Sequence, residues 1–168
     1  WFITGCSTGF GRVIAEHAIK AGHQVVVTAR QQEAITDLTT GHEDRVLALP
    51  LDVTQPVQIQ AAVQQTIERF GSIDVLVNNA GIGYFSSVEE SIEEETRKMF
   101  EINFWGLMHM TNAVLPHMRN QRSGHIINLS SIGGLASFPS LGYYHATKYA
   151  VEGISESLAQ EVAAFNIH

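Results

Sequence analysis

Short apolar, mostly β-branched runs alternate with longer stretches of helical period, and this alternation narrows the fold more than any other feature. The runs are Phe2-Ile3, Val25-Val26-Val27, Val46 to Leu49, Val75-Leu76-Val77 and Ile126-Ile127-Asn128-Leu129. Bounded by Gly, Asn, Asp or Pro, they read as strands buried on both faces, the habit of a parallel sheet. Between them, Ile59, Val63, Ile67 and Phe70 recur at helical spacing and share one face. Val151, Ile154, Leu158, Val162 and Phe165 do the same near the end of the chain. Strand–helix alternation predicts an α/β fold, a doubly wound parallel sheet of the Rossmann type with helices on both faces. No repeat, low-complexity tract or linker interrupts the 168 residues, so a single domain is expected.

Composition removes several classes of function. Seventeen acidic against ten basic residues give a net charge of -7, with no Lys/Arg cluster, which argues against a nucleic-acid partner. A 45% hydrophobic and 16% charged chain has the material for a core and is not disordered. No apolar run approaches the roughly 18 residues of a membrane span. One cysteine, Cys6, excludes an internal disulfide framework and suits a reduced, cytoplasmic setting. In its glycine-rich loop Cys6 reads as a small filler, with no adjacent base to make it a nucleophile. The eight histidines show no zinc-like pairing, so no metal is expected. The acidic stretch Glu89 to Glu95 reads as a solvated helix start, where carboxylates suit the positive end of the dipole.

The loop Thr4-Gly5-Cys6-Ser7-Thr8-Gly9-Phe10-Gly11 follows the first strand and opens a helix. Gly5 permits a sharp turn, Gly9 lets backbone approach a pyrophosphate, and Gly11 allows close packing of the helix on the sheet. The helix then points its free N–H groups and positive end at the phosphates. The second strand ends Thr28-Ala29-Arg30. A carboxylate near this point would bond a ribose 2′-OH, as NAD-binding folds arrange. Ala29 removes that group, and Arg30 offers a guanidinium suited to a 2′-phosphate. NADP(H) is therefore expected over NAD(H).

Tyr144-His145-Ala146-Thr147-Lys148 sets a phenol and an ammonium at i and i+4, on one helix face. A phenol ordinarily holds its proton too tightly for transfer near neutrality, and a nearby cation favours the phenolate. Such a pair donates a proton to a developing alkoxide or removes one from an alcohol. Ser131, thirteen residues before Tyr144, offers a hydroxyl to the same substrate oxygen.

With these pieces in order, the chain resembles the short-chain dehydrogenase/reductase (SDR) family, in its classical branch. The resemblance rests on Thr4 to Gly11, Asp52 in Leu51-Asp52-Val53, Asn78-Asn79-Ala80-Gly81, Asn103 in Asn103-Phe104-Trp105-Gly106, and the set Ser131, Tyr144 and Lys148. It implies an oxidoreductase transferring a hydride between NADP(H) and a carbonyl or alcohol, with strand order 3-2-1-4-5. By the resemblance, Tyr144 is the acid/base, Ser131 positions the carbonyl, Lys148 also holds the nicotinamide ribose, and Asn103 holds a relay water. Gly5, Ser7, Thr8, Gly9, Phe10, Gly11, Arg30, Asp52, Val53, Asn79, Ala80 and Gly81, with Tyr144 and Lys148, are implied on the cofactor, and Asn78 ties strands together. Some NADP-preferring members carry a basic residue before the second glycine; here Thr8 stands there, so Arg30 carries that argument alone.

The family continues past the last long helix with two further strands, whereas this chain stops at Asn166-Ile167-His168 and opens at Trp1. The expectation is an incomplete view of a longer, active protein, its fifth strand left as an open sheet edge. Tyr84, Phe85, Phe138 and Pro139 are expected at the pocket mouth and suggest an apolar substrate. The helix around Met99 to Met118 and the one from Tyr143 to Phe165, with small residues Ala146, Ala150, Gly153 and Ser157, suggest a homodimer or homotetramer. The competing expectation is a non-catalytic NADP(H)-binding sensor or scaffold.

Overall fold

The computed structural model describes residues 1–168. Five parallel strands form one sheet in the order β3-β2-β1-β4-β5, with β1 at Phe2–Ile3, β2 at Val25–Ala29, β3 at Val46–Pro50, β4 at Val75–Asn78 and β5 at His125–Asn128. This is the predicted strand order. β2, β3 and β4 run one or two residues past the expected apolar runs, to Ala29, Pro50 and Asn78, and β5 starts one residue earlier because His125 N–H reaches Asp74 O at 2.8 Å. Leu129 still joins the ladder through Asn78 O at 3.0 Å.

Strand alternation sorts the core into two layers. Phe2, Val26, Leu49 and Leu76 face α2 (Pro56–Phe70) and α4 (Leu107–Gln121), meeting Ile59, Val63, Met110 and Met118. Ile3, Val25, Val27 and Val77 face α1 (Gly9–Lys20), meeting Ala15, Ala18 and Ile19. Both faces of the sheet are thus covered, which is why its inner strands are continuously apolar. α2 begins with Pro56 in its first turn, where the missing N–H costs nothing, and ends at Gly71 with φ 83°.

Two segments depart from simple helical periodicity. Gln32–Thr39 folds as a 3₁₀ helix after β2 and buries Ile35 and Leu38. The helix expected over Met99–Met118 is three pieces: α3 (Glu93–Phe100), a π turn (Glu101–Gly106) and α4. α5 runs Gly142–Val162, and Phe165 follows in a short 3₁₀ turn. At the edge of the sheet, Ile167 pairs in parallel with Gly124, and His168 O accepts from Ile126 N at 2.8 Å. Further along β5, Ile127 stays 42% exposed.

Candidate active site

The loops after β1 and β4 are cross-tied. Thr4 Oγ1 accepts from the N–H groups of Asn79 and Ala80, each at 3.0 Å. Asn79 Nδ2 donates back to the carbonyls of Thr4 at 2.9 Å and Gly5 at 3.0 Å. The glycines therefore serve different ends. Gly5 has φ 72° and leaves 3.0 Å between a would-be Cβ and Ala80 Cα. At Gly11 a Cβ would collide with the Asn79 amide and the Gly5 carbonyl. Gly9, with φ 61°, has nothing within 4 Å and keeps an open face. Thr8, the N-cap of α1, makes no side-chain cap bond, so the first-turn N–H groups lack that partner. Cys6 is buried beneath, its thiol donating to Ile3 O at 3.3 Å and pushed by burial up to about 12, as a filler and not a nucleophile.

Beside this loop opens a cavity of about 720 Å³. Of the sequence-predicted cofactor residues, Gly5, Ser7, Thr8, Arg30, Asp52 and Val53 line it, with Asn79, Ala80 and Gly81. Gly9, Phe10, Gly11, Tyr144 and Lys148 do not; Phe10 is 77% exposed, and Gly11 is buried under Asn79. Arg30 is exposed and takes part in no ion pair within the chain. Asp52 Oδ1 is held by Thr54, from its N–H at 2.9 Å and its hydroxyl at 2.8 Å. Sequence reasoning missed the far wall, where Glu94, Lys98, Glu101 and Ile102 come from α3 and the π turn. The acidic stretch does open a helix as expected, with Glu93, Glu94 and Glu95 in its first turn. Glu94, however, faces the cavity, and only its place shortly before Asn103 could have signalled that.

Asn78 bridges the sheet and α4, donating to Asn128 Oδ1 at 2.9 Å and Thr111 Oγ1 at 3.1 Å. Asn103, in the π turn, is 2% exposed. Its Oδ1 accepts from Ile82 N at 2.8 Å, and its Nδ2 donates to Ile82 O at 2.8 Å and Thr147 Oγ1 at 3.3 Å. Both amide protons are thereby used, and Oδ1 keeps one lone pair.

Tyr144 and Lys148 lie one turn apart on α5, with Nζ 6.0 Å from the phenol ring centroid. Nζ donates to Leu129 O at 2.6 Å, at the carboxyl end of β5. Burial pulls the Lys148 ammonium below its ordinary value, and Glu152 opposes that shift. Ser131 Oγ caps the following turn, accepting from Gly133 N at 3.1 Å. Its neighbour Ser130 has a buried hydroxyl with no partner, packed against Gly134. Phe85 meets the Tyr144 ring edge-on at 5.6 Å and is 62% exposed. Tyr84 is used differently: its hydroxyl accepts from Ile92 N at 3.0 Å, ahead of α3.

The family model for short chain dehydrogenase matches residues 1–168. The chain belongs to the short-chain dehydrogenase family. Among curated relatives of this short-chain dehydrogenase is oxidoreductase BOA17 of Botryotinia fuckeliana, 44% identical over 99% of this chain and 61% of that protein. Another is the 3-ketodihydrosphingosine reductase of Bacteroides thetaiotaomicron, 44% identical over 98% of this chain and 59% of the relative. A solved short-chain dehydrogenase from Streptomyces avermitilis superposes with a TM-score of 0.96 at 47% identity, covering 99% of this chain and 62% of that one. Gluconate 5-dehydrogenase from Burkholderia cenocepacia, solved with NADP and tartrate, gives 0.93 at 29% identity, covering 99% and 67%. The chain thus spans about three fifths of the length of these curated relatives. Short-chain dehydrogenases use a nicotinamide cofactor. The open face at Gly9, the α1 terminus without a side-chain cap and the cavity beside them fit that group.

Proposed function

We propose that this short-chain dehydrogenase is an NADP(H)-dependent reductase of an apolar carbonyl compound, with Tyr144 as acid/base and residues 1–168 as one cofactor-binding domain. The observation that carries the reading is the Tyr144–Lys148 pair, one helical turn apart, with its ammonium tethered to Leu129 O at the end of β5.

Bound, the cofactor supplies the hydride. Gly5, Ser7 and Thr8 would hold its phosphates at the α1 terminus, and Asp52 would face the adenine end. Arg30, exposed on the cavity wall with no ion pair, is free to take a 2′-phosphate in a charge-assisted bond. The NADP in the gluconate 5-dehydrogenase structure supports that choice. Ser131 donates its hydroxyl proton to the substrate oxygen and steadies it. Tyr144 gives that oxygen its phenolic proton as negative charge develops, and the Lys148 cation stabilises the phenolate left behind. As the family resemblance implies, a water held by Asn103 would link Lys148 to solvent and return the proton.

Apolar side chains around Tyr144 support an apolar substrate: Phe85 against its ring, and Ile132, Leu135 and Phe138 exposed on the facing segment. The Bacteroides relative, named for reduction of 3-ketodihydrosphingosine, supports the reductive direction. On α5, Ala146, Gly153 and Ser157 are exposed and Gly153 meets nothing within 4 Å, which supports association of copies through this face.

The test is a panel of aromatic aldehydes and apolar ketones offered to the full-length protein with NADPH or NADH, following loss of reduced nicotinamide. Turnover of apolar carbonyls with NADPH preferred is expected. NADPH binding without turnover of any member would instead favour a sensor.

A further inference from the structure

His145 is a doubly anchored side chain near the site with no part in the chemistry above. It is 3% exposed. Its Nε2 accepts from Phe138 N at 2.8 Å, so that nitrogen is the unprotonated one. Nδ1 therefore carries the proton and donates it to Gly133 O at 2.8 Å. Gly133 in turn donates its N–H to Ser131 Oγ. The remaining hydrogen bonds of the 131–139 segment are internal turns, from Gly134 to Ser131 and from Leu135 and Ala136 to Ile132. Every hydrogen bond leaving the segment thus ends on one imidazole. The fit is close: a Cβ on Gly133 would lie 2.7 Å from Nδ1 and 3.3 Å from the Tyr144 ring. Phe138 packs its ring on the imidazole at 5.6 Å, while Ile132 and Leu135 are each 69% exposed and contribute little anchorage.

We propose that His145 is a positioning residue, whose imidazole latches the 131–139 segment to α5, setting the place of Ser131 through Gly133 and of the substrate wall through Phe138. The inference rests on the reading of Ser131 and Tyr144 as the reacting pair. It separates two effects. The Gly133 bond governs where the Ser131 hydroxyl stands and so acts on kcat. The Phe138 bond governs the pocket wall and so acts on KM.

The experiment compares His145→Leu and His145→Asn in the full-length protein, using NADPH and whichever panel aldehyde or ketone the unmodified protein reduces fastest. His145→Leu loses both bonds and should lower kcat by about 10- to 100-fold, the scale of a misplaced reacting group. His145→Asn keeps a donor near the Nδ1 position, for Gly133, and loses the acceptor for Phe138. It should recover most of kcat while KM stays raised. NADPH affinity should not change in either. Unchanged kcat and KM in His145→Leu, with Tyr144→Phe inactive, would overturn the positioning role and leave the acid/base reading standing. An active Tyr144→Phe would overturn that reading instead. A readout independent of turnover covers a variant that does not fold. Imidazole nitrogen NMR of the unmodified protein should show the neutral Nδ1–H form, and the Phe138 amide should be protected from hydrogen exchange. An Nε2–H tautomer or a rapidly exchanging Phe138 amide would contradict the latch.

Discussion

Lys148 carries a positive charge into a place where one carbonyl receives it. It is 8% exposed and bonded to Leu129 O, with no carboxylate in contact. Burial lowers its folded pKa below the 10.5 of the open chain. Between the lowered value and 10.5 the unfolded chain binds more protons, so this residue makes stability rise with pH in that window. Below it the ammonium is charged in both states, and the folded state bears the full cost of desolvation. Lys148→Met should therefore be at least as stable as the parent near pH 7, with the advantage shrinking as pH approaches 10.5, in urea titrations across pH. A destabilised variant with no pH trend would contradict this. Arg30 is the opposite case, a solvated charge waiting for a partner. Arg30→Ala should weaken NADPH binding by about 10- to 100-fold, the worth of one or two charge-assisted bonds, and leave NADH binding nearly unchanged in calorimetry. The placements were legible in the sequence because each rests on spacing along one element: Tyr144 and Lys148 one turn apart on a helix, Ala29-Arg30 at a strand end. His145 was not legible. Its partners Gly133 and Phe138 lie on a loop whose path no periodicity encodes.

Among the elements, the glycine loop and the helix that it opens were readable, but the reason for one glycine was not. Gly11 faces the Asn79 amide and the Gly5 carbonyl, a contact made across 68 positions of chain. Gly11→Ala should destabilise the fold by about 1–3 kcal/mol through overpacking and weaken NADPH binding by shifting the loop, measured by denaturation and calorimetry. Wild-type stability and affinity would show that Asn79 yields freely. The π turn at Glu101–Gly106 was also invisible, since its apolar spacing continues that of the flanking helices. It places Asn103 where its side chain spans Ile82 and Thr147, and π turns recur at functional sites for such reasons. The 3₁₀ helix at Gln32–Thr39 escaped because it carries only two buried apolar residues, too few to set a period.

For the molecule as a whole, the two-layered core followed from the sequence because a buried parallel strand cannot hide its composition, whereas the strand order came from the family resemblance and not from any strand's composition. What lay beyond reach was the cavity's far wall, where α3 delivers Glu94 and Lys98 by tertiary packing alone. The exposed small-residue face of α5 predicts association: light scattering of the full-length protein at micromolar concentration should give dimers or tetramers, and Gly153→Glu should shift them to monomers. Monomers from the unmodified protein would count against that interface. The account as a whole turns on proton transfer by Tyr144, and the most direct measurement is the single-turnover rate of carbonyl reduction by full-length Tyr144→Phe, with NADPH affinity measured alongside. A rate lower by roughly 10²- to 10⁴-fold at unchanged affinity is predicted. A rate equal to that of the unmodified protein would contradict the account.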